Sequence, residues 1–397
     1  WALGSGYAES LQQTAVELVR LILPATIFLG ASGISAAILY ALKRFRYPAF
    51  TAALFNLSIV ISALVLSRWF GIASVIIGVL VGAIGQLALQ IPGLRDFRFR
   101  LSFDWRNPAL QKILTLYAPV VAGLVVSNLQ IALDRNLASQ TGAQSVAWMQ
   151  NATTLIQFPD GLVITAISLA VLPTLAQATE KFQSTLAMGL RWALLLILPA
   201  TFLLGVLAQP VVALLFEHGA FTASDTTQTA NALLVYLLGL PFIAIDRPLV
   251  FAFYARKDTL RPALVGVAGV VVYTIVALAL YRPYGMPGLV LANSAQWVGH
   301  ALMMVWLLQT RLGGLPGQGV LRASAKILAG ALLAAGAAFL ALTQFDTYVL
   351  SSGLSEKFAR VALPMLVAMP VYFVAIKALR VSEADDLVAA LRQRLHV

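Results

Sequence analysis

An aspartate and an arginine, Asp246 and Arg247, lie side by side about two-thirds of the way through an apolar run at residues 229–254, and Pro248 follows them. Charged side chains at that depth are costly in hydrocarbon, so both must face protein or water. They are therefore candidates for contacting a charged ligand, with Asp246 as the predicted partner of Arg247. The alternative is an ion pair that only neutralises two charges buried in a helical bundle.

A second candidate is a stripe of polar residues in the apolar run at 145–176. Its members recur at steps of three and four, the spacing that places side chains on one face of a helix: Gln150, Asn151, Thr153, Thr154, Gln157 and Asp160. We expect this face to line a cavity, with Asn151, Thr154 and Gln157 as ligand contacts. The alternative is hydrogen bonding between neighbouring helices.

Two further groups of charges lie near the ends of apolar runs. Glu17 and Arg20 are three residues apart, a spacing that allows an ion pair within one helix. Asp134 and Arg135 follow a polar stretch at the outer end of another run. Arg20, Asp134 and Arg135 are candidate ligand contacts, against the alternatives of an interfacial cation, a helix cap or a structural ion pair.

The composition determines the solvent in which these residues must act. The chain is 60% hydrophobic and 11% charged, with a mean hydropathy of +0.86, which excludes a soluble globular protein and indicates a membrane protein. It has no cysteine and only three scattered histidines, His218, His300 and His396, so neither a disulfide framework nor a zinc or iron site is expected. No glycine motif forms a phosphate-binding loop. The sequence therefore predicts no cofactor.

The chain contains eleven apolar runs of roughly 20 residues, the length that crosses a bilayer as a helix. No alternating strand pattern occurs, so all eleven are predicted to be transmembrane helices and the fold class to be all-α and polytopic. The runs are 15–42, 49–67, 72–91, 113–138, 145–176, 186–216, 229–254, 263–281, 285–308, 325–343 and 360–379.

The positive charges indicate the orientation of these helices. Of the 27 lysines and arginines, 20 lie in the connections after the odd-numbered helices up to the ninth and in the C-terminal tail. Cytoplasmic loops carry such an excess, so the loops near Arg98 and Arg256 and the C-terminus are predicted to be cytoplasmic, and those near Gly142 and Gly219 external. The excess therefore reflects topology, and no nucleic-acid partner is expected.

The chain is internally duplicated. Residues 40–71 reappear at 254–285 with a constant offset of 214. The offset maps helices one to three onto helices seven to nine, which predicts a parallel six-helix repeat, as in transporters built from two related bundles. Helices four to six then lack partners, so we expect three helices to precede Trp1 in the complete protein.

These patterns predict four regions. Residues 1–97 are the second half of an N-terminal lobe, and 98–310 are a six-helix C-terminal lobe. After a glycine-rich linker, residues 311–381 hold two additional helices. Residues 382–397 have acids in their first turn and arginines in their last, which predicts an amphipathic helix on the cytoplasmic membrane surface.

Several short motifs occur in an order that is more specific than any one of them. They are Ala132-Leu133-Asp134-Arg135, Phe158-Pro159 with Gly161, Leu172-Pro173-Thr174-Leu175, Phe216-Glu217-His218-Gly219-Ala220-Phe221-Thr222 and Phe253-Tyr254-Ala255-Arg256-Lys257-Asp258-Thr259. In these residues the chain resembles the lipid II flippases of MurJ/MviN type, within the multidrug/oligosaccharidyl-lipid/polysaccharide exporter superfamily. The resemblance covers essentially the whole chain, starting at what would be the fourth of fourteen helices.

The resemblance implies a transporter, not an enzyme, that moves undecaprenyl-pyrophosphate-linked peptidoglycan precursor across the bacterial inner membrane. It implies a polyprenyl-pyrophosphate-linked glycan as substrate, the bilayer as surroundings and other cell-wall synthesis proteins as possible partners. Where the family commonly has an acidic–arginine pair, this chain has Thr153-Thr154, and Gln157 replaces a frequent acid. Arg247 and Arg20 are then the embedded cations that remain for the headgroup. The alternatives are a related carrier of another lipid-linked oligosaccharide or of a drug, and a non-transporting membrane scaffold.

Overall fold

The computed structural model describes residues 6–95, 104, 106–170, 181–348 and 353–383, and within these ranges every regular element is a helix. In chain order the α-helices are α1 (Glu9–Ala41), α2 (Arg46–Ala49), α3 (Thr51–Phe70), α4 (Ala73–Gln90), α5 (Pro108–Thr141), α6 (Ser145–Ala170), α7 (Phe182–Val206), α8 (Ala208–Phe216), α9 (Ala223–Leu237), α10 (Leu240–Ala255), α11 (Leu260–Tyr284), α12 (Met286–Arg311), α13 (Val320–Tyr348) and α14 (Leu354–Ala378). A 3₁₀ turn at Ile91–Leu94 follows α4.

The predicted all-helical membrane fold is confirmed. Seven of the described helices are long and apolar enough to cross a bilayer, or eight when the bent pair α9 and α10 counts as one span. Their outer surfaces carry large apolar side chains, and Ile27, Leu64 and Trp69 are each more than 70% exposed. Such a surface is stable where lipid replaces water. Each of the eleven predicted segments coincides with a helix or a consecutive pair within the described ranges, while the number of eleven crossings stays a prediction.

Two predicted segments are not single straight helices. The segment 186–216 is interrupted at Leu207, between α7 and α8. The segment 229–254 bends by 46° between α9 and α10. Gly239 lies at this bend, and Pro241 occupies the first turn of α10, where its missing N–H is not needed by the helix. The bend therefore starts a new helix, α10, and this helix carries two of the candidate charges.

The local geometry of the chain recurs at the 214-residue offset. Lys43 and Lys257 both take a left-handed conformation, with φ of 58° and 59°, directly after α1 and α10. In both places the next N–H bonds to the carbonyl five residues earlier, at 2.8 and 3.0 Å, which closes the helix end. Gly71 and Gly285 likewise share positive φ values of 51° and 60°. These four positions agree with the duplication, while the complete six-helix repeat stays a prediction.

The chain divides into two compact units, one ending at Leu114 and the other beginning at Thr115. In the first unit, α4 packs against both α1 and α3. A Cβ atom on Gly78 of α4 would lie 2.8 Å from the Cα of Ile59 on α3. Glycine at this position is therefore what allows the two helices to approach so closely.

In the second unit, α7 lies at the centre and packs against α6, α10 and α13. The pairs α11 with α12 and α13 with α14 form two tightly packed hairpins. The hydroxyl of Tyr372 on α14 donates a 2.7 Å hydrogen bond to the carbonyl of Leu195 on α7, which attaches the last hairpin to the centre. The predicted division into four regions stays a prediction. Apart from Ser382 and Glu383, the predicted tail helix lies outside the described residues.

Candidate functional site

One face of α12 carries three polar residues, each of which contacts a polar residue on another helix of the second unit. Asn293, Gln296 and His300 are spaced by three and four residues and so lie on one face of the helix. Their partners come from α5 and α10. This face forms a polar layer between α12 and the helices α5 and α10, and polar groups at such depth need partners.

Asp134 of α5 accepts two hydrogen bonds in this layer. The hydroxyl of Tyr273 on α11 donates at 2.6 Å, and Nδ2 of Asn293 donates at 3.2 Å. The Tyr273 side chain is fully buried, so its hydroxyl depends on this carboxylate for a partner. Asp134 therefore joins α5, α11 and α12, and its role in the structure is more than that of an interfacial cap.

The side chain of Arg135 has partners on α6 and not on α12. Its guanidinium donates to the carbonyl of Val146, at 3.3 Å, and to the side chain of Gln150. A residue and its immediate neighbour on a helix do not share a face. Asp134 and Arg135 are therefore divided between two sets of partners, and the ion pair that the sequence allowed between them is not among the described contacts.

A reciprocal pair of amides lies next along the α12 face. Nε2 of Gln296 donates to Oε1 of Gln130 at 3.0 Å, and Nε2 of Gln130 donates back to Oε1 of Gln296. Both amides thus satisfy a donor and an acceptor across the α5–α12 contact. Helix-to-helix bonding of this kind specifies how two helices are aligned.

The charges on α10 do not pair as the sequence suggested. Asp246 was expected to be the partner of Arg247, but its Oδ1 lies 2.6 Å from Nδ1 of His300 on α12. Arg247 instead donates to Asp160 on α6, from Nη2 at 3.1 Å and from Nε at 3.4 Å. The expected pair is wrong because consecutive helical residues point in different directions, so each charge meets a different neighbouring helix.

These two pairs differ in their exposure. The side chains of His300 and Asp246 are 20% and 14% exposed, so both members are largely enclosed. The Asp160 side chain is 16% exposed, while that of Arg247 is 41% exposed. Arg247 is therefore paired with a carboxylate while its side chain stays partly exposed. Arg261 at the start of α11 shows the same combination, whereas Arg247 lies inside an apolar run.

The polar stripe on α6 has mixed roles. Gln150 and Asp160 receive bonds from Arg135 and Arg247, as described above. The hydroxyls of Thr153 and Thr154 bond to carbonyls of their own helix at 2.9 Å. The side chains of Asn151, which is partly buried, and Gln157, which is exposed, make no hydrogen bond to a described residue. The stripe is thus partly used for helix contacts and partly open, and its ligand contacts stay a prediction.

The first unit contains the remaining sequence candidate, Arg20 on α1. Arg20 and Glu17 are both exposed, and no ion pair joins them among the described contacts. The intrahelical pair that their spacing allowed is therefore not formed. Two solvated side chains gain little from pairing, because each must give up rotamer freedom for a weak attraction.

Sequence reasoning missed the residues of α12. His300 was considered only as a metal ligand and set aside, and Asn293 and Gln296 were not singled out. Their spacing in an apolar segment was the available signal, since it places the three on one face. Within the described residues, no group of three or more histidine, aspartate or glutamate side chains is arranged to hold a metal ion.

Several known proteins that are similar to this chain belong to one family. The family model described as Lipid II flippase MurJ matches residues 2–358. A lipid II flippase MurJ of Burkholderia cenocepacia is 27% identical over 90% of this chain and 72% of its own length. A probable lipid II flippase MurJ of Vibrio cholerae is 31% identical over 74% of this chain and 57% of its own length.

The fold is also similar to a solved structure. A lipid II flippase MurJ in an inward closed conformation superposes on the chain with a TM-score of 0.81. The sequences are 25% identical, and the alignment covers 95% of this chain and 78% of the other. The sequence resemblance inferred from ordered short motifs is thereby confirmed, and with it the class of membrane transporter.

Proposed function

The chain belongs to the lipid II flippase MurJ family, and from this premise we propose that the protein moves a polyprenyl-pyrophosphate-linked peptidoglycan precursor between the leaflets of the cytoplasmic membrane. The observation that carries the proposal is the family match over residues 2–358, together with the matching helical fold. The family is one of transporters and not of enzymes. Drug carriage and a scaffold role have no observation in their favour.

The proposed headgroup contact is Arg247. A pyrophosphate needs a cation in a low-dielectric site, and a guanidinium can offer two parallel donors to it. Arg247 already makes this two-donor contact with Asp160, while 41% of its side chain stays exposed. We infer that Asp160 orients the Arg247 guanidinium. When the substrate binds, the pyrophosphate would accept part of the guanidinium's hydrogen bonds in place of Asp160.

Arg247 would also supply the positive charge that this chain lacks at Thr153 and Thr154. The family resemblance implies an acidic–arginine pair on this stripe, whereas the chain has Thr153-Thr154. Arg247 reaches the same helix, α6, through Asp160, about two helical turns further along. Asn151, Thr154 and Gln157 would then supply neutral hydrogen bonds to the glycan, while Arg20, Asp134 and Arg135 stay predicted contacts of lower rank.

The proposed mechanism is alternating access, in which one helical bundle rocks against the other and exposes the polar stripe to each side in turn. The polyprenyl tail stays in lipid during this motion. An inside-negative membrane potential favours outward movement of an anion by about 2.3 kcal/mol per charge per 100 mV. The proposed orientation has the C-terminus in the cytoplasm, and association with other cell-wall synthesis proteins stays a prediction.

The test is growth of cells depleted of their own flippase and supplied with variants of the full-length protein. Arg247→Ala should abolish rescue, while Arg247→Lys should keep part of it, because a point charge remains without the planar guanidinium. Arg282→Gln is the matched control, since Arg282 is exposed and, among the described residues, its side chain contacts only the neighbouring Tyr281. Membrane abundance is measured for every variant.

The double variant Asp160→Asn with Arg247→Gln distinguishes substrate binding from simple charge neutralisation. If the two residues only neutralise each other, joint neutralisation should leave a folded and active carrier. If Arg247 binds the headgroup, the double variant should be folded and inactive. Growth rescued by the double variant would remove Arg247 from the site.

A further inference from the structure

Two adjoining cavities lie at the end of the second unit where α13 begins and α14 ends. The smaller has a volume of about 280 Å³ and is lined by Arg191, Arg322, Lys326 and Arg380, with Glu383 at its wall. We call it the cationic pocket, defined by these four basic residues. The larger has a volume of about 570 Å³ and shares Gly319 and Arg322 with the first.

The cationic pocket carries more positive charge than its described neighbours neutralise. Glu383, which is 2% exposed, forms an ion pair with Arg191. Lys326 donates to the carbonyl of Arg380 at 3.1 Å and so gains a hydrogen bond but no opposite charge. The guanidinium groups of Arg322 and Arg380 have no hydrogen bond or ion pair with a described residue. Three cations thus converge on one small pocket without a described counter-ion.

The larger cavity is apolar. Its walls include Leu194, Ile245, Leu249 and Leu308, from the three helices α7, α10 and α12. Its volume lies within the range of ~300–1,000 Å³ that small-molecule sites occupy. Arg322 stands where this apolar space meets the cationic pocket, so the two cavities together form one site with a charged end and an apolar end.

We propose that this composite site binds an anionic glycerophospholipid, with its phosphate in the cationic pocket and one acyl chain in the apolar cavity. The charged end fits a phosphodiester, and the first turn of α13 beside it adds a helix N-terminus that favours an anion. A free phosphate has no apolar group that could fill the apolar end. A polyprenyl tail is several times larger than one acyl chain, so the transport substrate fits the cavity poorly.

The bound lipid would contact several elements of the second unit at once. Its phosphate would bridge Arg322 and Lys326 on α13 to Arg380 after α14, and its chain would lie against α7 and α10. A ligand that binds only the folded state stabilises it, and the stabilisation grows with the logarithm of the ligand concentration relative to its dissociation constant. The lipid would therefore fasten the last hairpin to the centre of the unit.

The test uses the purified full chain in neutral detergent, titrated with phosphatidylglycerol, phosphatidylcholine or inorganic phosphate, with lipid occupancy read by native mass spectrometry. Phosphatidylglycerol should bind at least about tenfold more tightly than phosphatidylcholine, because each basic residue adds to the attraction of an anionic lipid. The triple variant Arg322→Gln, Lys326→Gln, Arg380→Gln should lose this preference. Thermal unfolding with and without lipid checks that the variant is folded.

Lys43, Arg46 and Arg95 line a separate basic pocket in the first unit. The matched control removes these three positive charges, as Lys43→Gln, Arg46→Gln, Arg95→Gln, and should keep the lipid preference. Equal loss in both triple variants would mean that only overall charge matters and would overturn the proposal. Val305→Phe, which narrows the apolar cavity, should weaken lipid binding and leave phosphate binding unchanged. The site would instead take free phosphate and no lipid if inorganic phosphate bound as tightly as the lipid and Val305→Phe left lipid binding unchanged.

Discussion

Asp160 on α6 and Arg247 on α10 form an ion pair with two donor atoms, in which Nη2 lies 3.1 Å from Oδ2 and Nε lies 3.4 Å from Oδ1. Because the arginine side chain is 41% exposed, water can replace the lost partner when the carboxylate is removed. Asp160→Asn should therefore change the free energy of unfolding by no more than about 1 kcal/mol. Thermal unfolding of the purified variant measures this. A large loss of folded protein would show that the pair is mainly structural.

The pairs on α10 should differ in their energetic coupling. Asp246 and His300 are in contact and largely enclosed, so a double-mutant cycle of Asp246→Asn with His300→Gln should give a coupling energy of about 1–3 kcal/mol. The same cycle with Asp246→Asn and Arg247→Gln should give less than about 0.5 kcal/mol, because these neighbours in sequence face different helices. Chemical unfolding in detergent measures both cycles. A stronger coupling in the second cycle would contradict the pairing described here.

The pairs Asp160–Arg247 and Asp246–His300 show which features of the structure the sequence could predict and which it could not. Hydrophobic run length predicts helices reliably in a membrane, because lipid leaves the backbone no other way to satisfy its hydrogen bonds. The run at 229–254 was therefore correctly predicted as helical. Which neighbour a given side chain meets depends on how helices are rotated and arranged around it, and no local pattern contains that information. Asp246 was consequently assigned to Arg247 instead of His300.

The same limit explains which site residues were found. Charges stand out in an apolar sequence, so Asp134 and Arg247 were recognised as site candidates. Asp160 was recognised only as a member of the polar stripe. Asn293 and Gln296 are neutral and were not selected as candidates, although Asp134 and Gln130 form hydrogen bonds with them. The bend at Gly239 was also missed, since hydropathy alone does not distinguish one long helix from two consecutive ones.

Glycine at position 288 should be required for the packing of α12 against α11. A Cβ atom there would collide with the backbone carbonyl of Leu280, which cannot move aside without distorting α11. Gly288→Ala should therefore destabilise the protein by about 1–3 kcal/mol. Gly266→Ala on α11 is the control, because no described residue beyond its own stretch of helix has an atom within 4 Å of the added Cβ. The control should be neutral or slightly stabilising in thermal unfolding.

The contact between Glu217 and α14 should depend on pH. Thr226, whose hydroxyl donates to Glu217 at 2.6 Å, lowers the pKa of this carboxyl below its usual 4.5, and Lys357 at 3.0 Å lowers it further against the opposing effect of burial. A lowered folded-state pKa means that the carboxylate stabilises the protein above its unfolded pKa, and that this stabilisation is lost as pH falls through the folded pKa.

The measurement is the difference in melting temperature between the unchanged protein and Glu217→Gln, followed from neutral pH downward. The unchanged protein should melt higher near neutrality, and the difference should shrink below about pH 4.5. Thr226→Val removes the largest cause of the lowered pKa and should move the loss to higher pH. A difference that stays constant over the whole range would show that the carboxylate charge is not what stabilises this contact.

The orientation can be tested because the chain contains no cysteine, so each introduced thiol is unique. Arg98→Cys and Arg256→Cys probe loops predicted to be cytoplasmic, and Ala143→Cys and Ala220→Cys probe loops predicted to be external, on the basis of the lysine and arginine bias. A membrane-impermeant thiol reagent applied to intact cells should label only the second pair, and both pairs should react after the cells are opened. Labelling of Arg256→Cys in intact cells, with protection of Ala220→Cys, would reverse the orientation. It would also move the cationic pocket near α13 to the outer face, where its phosphate ligand would have to come from the opposite leaflet.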